Sequence, residues 1–178
     1  MRVHPIVIAT STIGLLALSA ALPASAATSG PSTATVTVTG GVLSITVPPA
    51  AGSLGTRPDT VSGGTISGQL GQVQVNDARS AVAGSGWVVS VISTAFTPTP
   101  GTAIAASAVS YTAGPITKVG TATFTANDPP DLTGVAPAVT ATGITGDNSA
   151  TWNPTISVVV PGGAVAGVYS ATITHSVL

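Results

Sequence analysis

Apolar side chains alternate with threonine and serine in several short runs of this chain, and this period of two constrains the fold more than any other feature. In the final run, residues 167–178, the odd positions from Tyr169 to Val177 are mostly apolar, whereas the even positions are serine or threonine. Such alternation is typical of strands with one buried face. The chain also lacks glutamate, has one lysine and is rich in Gly, Pro, Thr and Val, which disfavours helices.

The same pattern predicts at least seven short strands separated by Gly/Pro turns, within residues 34–40, 42–47, 71–77, 86–94, 120–128, 153–163 and 167–178. Gly40-Gly41 is a hairpin signal between the first two runs. This arrangement predicts an all-β fold, a single antiparallel β-sandwich of immunoglobulin-like or Greek-key type, with a closed barrel as the alternative. Prolines exclude 97–101 from a central strand, and 126–154 is predicted to be a long loop.

The first 26 residues have the form of a cleavable signal peptide. Arg2 precedes an uncharged apolar run, which leads to small residues at Ala24-Ser25-Ala26. We therefore expect a signal peptide at 1–26, a flexible leader at 27–33 and one domain at 34–178, with an extracellular location and no membrane span after cleavage. The chain has no cysteine, so disulfides cannot stabilise it.

The scarcity of charged residues excludes several classes of function. After residue 26, three cationic residues and five aspartates leave a net charge of −2 (3 − 5). No basic cluster is available for nucleic acid, and no His/Cys cluster indicates a metal site or another cofactor. We predict a protein that is not an enzyme, with an aspartate hydrolase as a remote alternative.

Four charged or aromatic residues each allow a structural and a functional interpretation. Asp77 and Arg79 share strand parity, which predicts an ion pair at the strand end or, alternatively, a ligand-binding pair. Trp87 heads an apolar strand and is expected in the core, although it could also stack on a sugar ring. Trp152 lies in a loop-like context, where core packing and partial exposure are equally plausible. His175 is expected to be a hydrogen-bonded packing residue.

The stretch VQVNDARSAVAGSGWVVSV resembles the central signature of the WxL domain, a surface module of Gram-positive bacteria. The family has an Asp-x-Arg pair at a strand end, a loop of small residues and then Gly-Trp-x-Leu, which here read Asp77-Ala78-Arg79 and Gly86-Trp87-Val88-Val89. The closing segment from Gly167 and Tyr169 is similar to the second signature of the family, but His175 and Val177 stand where that signature has Trp and Leu.

The resemblance implies non-covalent association with the peptidoglycan cell wall through a WxL-like domain. The alternative is a structural or adhesive subunit that binds other surface proteins. In either case we expect partners at the cell surface and no nucleic acid. The candidate ligand-binding residues are Asp77, Arg79, Trp87, Trp152 and Tyr169.

Overall fold

The computed structural model describes residues 33–98 and 100–178. The predicted signal peptide, and all of the predicted leader except its last residue, lie outside these residues. The chain divides into the units Met1–Thr37 and Val38–Leu178. Of the first unit, residues 33–37 are described, and they form no strand.

The described residues form an all-β structure of antiparallel sheets packed together as a sandwich, as the alternation predicted. Apart from one short 3-10 turn at Ala106–Ala108, the regular elements of these residues are strands. They are β1 (Leu43–Thr46), β2 (Gly64–Gln69), β3 (Val73–Ser93), β4 (Thr97–Pro98), β5 (Val109–Thr112), β6 (Thr117–Ala126), β7 (Ala136–Trp152), β8 (Thr155–Val160), β9 (Tyr169–Ser170) and β10 (Ile173–Val177). No helix in the described part of the chain is long and apolar enough to cross a membrane.

Three antiparallel sheets make up the sandwich. The largest has the order β1-β3-β7-β6, and β10 also pairs with β3. The second has the order β2-β8-β5, and the third contains only β4 and β9. Since β1 pairs with Gln74–Asp77 and β10 pairs with Val89–Ser93, strand β3 holds a different neighbour at each of its ends.

The long pair β3–β7 bends back on itself near its middle. Asp77 lies opposite Asn148 in the ladder, and Trp87 lies ten residues further along β3. Ten residues of straight strand would span about 33 Å. The indole of Trp87 nevertheless hydrogen-bonds Asn148 at 3.0 Å. The two halves of the ribbon therefore face each other, and β1 contacts β10.

Local backbone geometry explains where this bend falls. The β3–β7 register shifts between Asp77 and Ala81, again between Ala81 and Ser85, and again before Trp87. Four residues in this segment have positive φ, namely Ser80, Gly84, Gly143 and Gly146. Extra residues in one strand of a pair increase its bending and twist. The small residues between Asp77 and Trp87 thus form the bent part of one strand rather than the loop that the sequence predicted.

The core is built from the inward faces that alternation identified. Val73 and Val75, like Trp87, Val89 and Val91, are almost completely buried. Along β10 the odd positions are half-buried and the even positions exposed, as predicted. The remaining core side chains come mainly from β5, β7 and β8 and include Tyr111, Ile144, Trp152 and Ile156.

Three predictions about extended segments are wrong. Residues 34–40 form no strand, and Val36 and Val38 are 89% and 82% exposed. Gly40-Gly41 makes no hairpin, because Gly41 pairs with Ala78 and continues the approach of β1 to β3. The predicted loop 126–154 is mostly β7, since its glycines are accommodated as bulges within a paired strand.

Candidate functional site

A charged pair lies where the β3–β7 ribbon begins to bend. Arg79 donates from Nε to Asp77 Oδ1 at 2.8 Å and from Nη2 to Oδ2 at 2.9 Å. The backbone N–H of Arg79 also donates to Oδ1, at 3.1 Å. The Asp77 side chain is fully buried, whereas that of Arg79 is 37% exposed. The predicted ion pair is therefore confirmed, with a bidentate geometry that suits a guanidinium.

Asn148 connects this ion pair to Trp87. Its Nδ2 donates to Asp77 Oδ2 at 3.1 Å, and its Oδ1 accepts the indole N–H of Trp87 at 3.0 Å. Arg79 Nη2 also donates to the carbonyl of Gly86, the residue before the tryptophan, at 3.3 Å. We call Asp77, Arg79, Trp87 and Asn148 the bend network. It joins both halves of the ribbon.

The hydrogen bonds from Arg79 hold the pKa of the Asp77 carboxyl below its ordinary value and outweigh the effect of burial, with smaller contributions from the Arg79 backbone and Asn148. The same pairing raises the pKa of the Arg79 guanidinium. Both groups are therefore charged at neutral pH. Since breaking a buried pair leaves an uncompensated charge, we expect the bend network to be sensitive to loss of one partner.

A second buried network crosses the sandwich. Trp152, at the end of β7, donates its indole N–H to the hydroxyl of Tyr111 on β5 at 2.7 Å. That hydroxyl lies 3.3 Å from Nε2 of His175 on β10. Because the hydroxyl already accepts from Trp152, its own proton is available to a neutral His175. This confirms the interpretation of His175 as a hydrogen-bonded packing residue.

Burial shifts both titratable groups of this network toward their neutral forms. It lowers the pKa of His175 from 6.5 to about 4. It also raises the pKa of the Tyr111 phenol well above its ordinary value, an effect that the hydrogen bond from Trp152 partly opposes. His175 is therefore neutral at pH 7 and accepts a hydrogen bond rather than carrying charge.

The described residues also form a cleft of about 840 Å³. One wall consists of residues 47–60 and the other of residues 164–172. Its floor is largely apolar and includes Ile66, Phe96 and Ile173, and His175 also lines it. We call this opening the wall-loop cleft.

Two hydrogen bonds and one close backbone approach fix the walls of the wall-loop cleft. Tyr169 donates its hydroxyl proton to the carbonyl of Val165 at 2.9 Å, within one wall. In the other wall, Arg57 Nη2 donates to the carbonyl of Gly63 at 2.7 Å. Leu54 passes so close to β2 that a Cβ at Gly68 would lie 2.4 Å from the Leu54 carbonyl oxygen. Glycine at 68 therefore lets this wall lie directly on β2.

The candidate ligand-binding residues do not form one surface. Asp77 is fully buried, and Trp87 and Trp152 are each only 2% exposed. These three side chains therefore offer no accessible surface to a ligand, and no face of either indole is open for sugar stacking. Their role as ligand contacts stays a prediction. The ring of Trp87 packs instead at a tilt against Phe124, with 5.6 Å between centroids. Arg79 is partly exposed at the bend, and Tyr169 lines the wall-loop cleft.

Sequence reasoning missed Asn148 and Tyr111, which complete the two networks. Asn148 lay in a segment predicted to be a loop, and Tyr111 lay in no predicted strand. The one available signal was chemical: a buried tryptophan N–H needs an acceptor. Throughout the described residues, every buried side-chain nitrogen and oxygen has a hydrogen-bond partner.

Most aspartates are acceptors for backbone N–H groups. Besides Asp77, Asp147 accepts from Ser80 in the bend at 2.9 Å, and Asp128 accepts from Ala113 at 2.8 Å. Asp131 accepts from Thr133 at 3.1 Å. Within residues 33–98 and 100–178, no group of three or more His, Asp, Glu or Cys side chains could hold a metal ion.

Together the fold and its two networks define an all-β sandwich protein whose buried polar groups are used for structure. No protein-family model, curated protein or solved structure matches the chain.

Proposed function

We propose that this is a secreted, non-enzymatic cell-surface protein that associates non-covalently with cell-wall peptidoglycan through a WxL-like domain. The observation that carries the proposal is the bend network. The residues on which the resemblance rests, Asp77, Arg79, Gly86 and Trp87, meet at one point of one β-sandwich. Such convergence supports their interpretation as a single structural signature rather than a chance spacing.

The wall-loop cleft is the surface that suits a polymer ligand. Its open, largely uncharged walls present backbone groups and hydroxyls to an extended chain. Its two charged side chains are Arg57 and Asp59, both in the wall of residues 47–60. Hydrogen bonding and apolar contact would therefore dominate recognition over ion pairing. Of the sequence-derived candidates, Tyr169 has the position that fits this role.

A pulldown tests the proposal. The secreted chain is mixed with purified peptidoglycan, sedimented and quantified in both fractions across pH and salt. We expect retention in the pellet. Complete recovery in the supernatant under every condition would refute wall association.

Matched charge variants then locate the contact. Val168→Asp places a carboxylate at an exposed position of the wall-loop cleft, and Val82→Asp places one at a comparably exposed position of the bend. We expect the first variant to weaken retention at least tenfold and the second to leave it unchanged. If both variants are retained equally, the contact with peptidoglycan lies outside the wall-loop cleft.

The second candidate function is a structural or adhesive subunit that binds other surface proteins. The observation that favours it is an edge of the largest sheet, at β6, whose outer side has no strand partner among the described residues. Strand β6 ends the order β1-β3-β7-β6 and is exposed along most of its length. Exposed edges can pair with another chain.

A further inference from the structure

We propose that residues 35–39 of one copy add as a strand to the outer edge of β6 in a second copy, so that the chain assembles head to tail. This inference deepens the second candidate function by naming the partner, and it does not depend on wall binding.

The donor strand, residues 35–39, has the residue pattern of a strand but no strand partner among the described residues. Residues 35–39 read TVTVT, carry no charge and alternate two β-branched residue types. Val36 and Val38, which share one face, are 89% and 82% exposed. Leaving two valines in water forgoes the burial that such alternation normally provides. A matching strand edge would bury them.

The acceptor edge, to which the donor strand would add, is the second half of β6. Lys118, the positive φ of Gly120 (+89°) and the register shifts between Val119 and Thr123 interrupt the first part of the edge. These features oppose edge pairing, so the acceptor lies within residues 121–126, which pair regularly with β7 from Thr123 onward. In that stretch Ala122 and Phe124 point inward but remain only half-buried, whereas Thr121, Thr123 and Thr125 are exposed.

The ladder shows which backbone groups of β6 are free. Asn127 donates its N–H to Ala138 on β7, directly after the paired residues Thr125 and Ala126. Because alternate residues of an antiparallel strand bond to opposite sides, the N–H and C=O of Phe124 and Ala126 point away from β7. They are available to an added strand.

Donor and acceptor match in side-chain chemistry. Placed beside β6, Val36 and Val38 would cover the open sides of Ala122 and Phe124 in place of the Lys118 ammonium, which lies 5.9 Å from the centre of the Phe124 ring. Threonines would meet threonines on the outer face. Apolar pairs and Thr–Thr pairs both stabilise neighbouring strands. With no charge on residues 35–39 or 121–126, no electrostatic repulsion opposes the pairing.

The geometry favours a second copy over the same molecule. Gly41 bonds Ala78 on the β1 side of β3, and two strands, β3 and β7, separate that side from β6. Donor and acceptor are different patches, so a single contact leaves a free donor on one copy and a free acceptor on the other, from which assembly can continue. The expected product is a series of growing oligomers.

Light scattering after size exclusion tests the assembly, using the secreted chain from about 10 µM to 1 mM. We expect an average mass that continues to rise beyond that of a dimer. Val36→Lys with Val38→Lys should weaken association at least tenfold. The matched control, Val61→Lys with Val82→Lys, changes two other exposed valines and should retain it. A monomer at every concentration, or equal loss in both double variants, would overturn the proposal.

Two further variants test the acceptor. Ala126→Pro removes an outward N–H without removing a bond to β7, whereas Ala126→Ser keeps that N–H. Only the proline should block assembly. Because the chain has no cysteine, Thr37→Cys in one tagged copy can be oxidised against Thr121→Cys, Thr123→Cys or Thr125→Cys in another. Absence of every such cross-link would count against β6, whereas binding of a different surface protein would leave the broader adhesive role standing.

Discussion

The bend network makes a quantitative prediction about Asn148. Replacing Asn148 with aspartate puts a second carboxylate at the position from which Nδ2 now donates to Asp77 Oδ2 at 3.1 Å. Two unit charges at that separation repel by on the order of 5 kcal/mol at an effective dielectric constant of about 20. Replacing Asn148 with leucine adds no charge. It leaves the Trp87 N–H without its acceptor, at a cost of about 1–3 kcal/mol.

Since domains of this size unfold at about 5–15 kcal/mol, Asn148→Asp should be close to unfolded at pH 7, and Asn148→Leu should remain folded but weaker. The two variants should also respond differently to acid. Repulsion raises the pKa of the carboxyl pair, so protonation relieves the repulsion and the Asn148→Asp deficit relative to Asn148→Leu should shrink as pH falls from 7 toward 4.

Urea denaturation followed by tryptophan fluorescence measures both effects, because Trp87 and Trp152 are buried in the folded state. Circular dichroism provides an independent reading of the strands. Equal stability of the two variants at pH 7, or a deficit that does not depend on pH, would refute the account of the bend network.

Three further predictions concern pH, the ribbon and the cleft. His175 has a pKa of about 4 in the folded state, below its ordinary value of 6.5. The free energy of unfolding should therefore be at its full value above pH 6.5 and should fall toward pH 4 by up to about 1.4 kcal/mol per pH unit. In urea titrations, His175→Gln should reduce this dependence on pH. Asp77 has a lowered pKa, so its contribution to the free energy of unfolding should persist as pH falls and should be lost only below pH 3.8. In acid denaturation, Asp77→Asn should not show this loss of stability below pH 3.8. Gly68→Ala should push residues 47–60 off β2 and raise amide exchange in that wall, whereas Gly134→Ala, where a Cβ meets nothing within 4 Å, should not.

Alternation predicted the strands that have one buried face. The faces of Val73 and Val75 and of Trp87, Val89 and Val91 are where the sequence placed them. The same reasoning failed for residues 34–40, because a period of two indicates a capacity for strand formation and does not identify a partner. Residues 42–46 pair with β3, whereas residues 34–40 have no strand partner in the part of the chain that the structure describes.

Strand β7 was not predicted from the sequence, for a different reason. Gly143 and Gly146 have positive φ and shift the register against β3, so the side-chain pattern of residues 136–152 loses its regular period. Trp152 and Asn148 consequently read as loop residues, although both are buried. Their roles depend on contacts with β3 and β5, which are distant in sequence and carry no local signal.

The folded ribbon has a mechanical consequence. Because β3 and β7 run through both facing halves, a force applied to one half is transmitted to the other along the same two strands. Pulling on the chain should therefore load both halves together, and the hydrogen bonds of the bend network, rather than the interrupted ladder between Asp77 and Trp87, should resist their separation. This chain, which has no cysteine, would gain mechanical resistance from that shared backbone continuity rather than from disulfides.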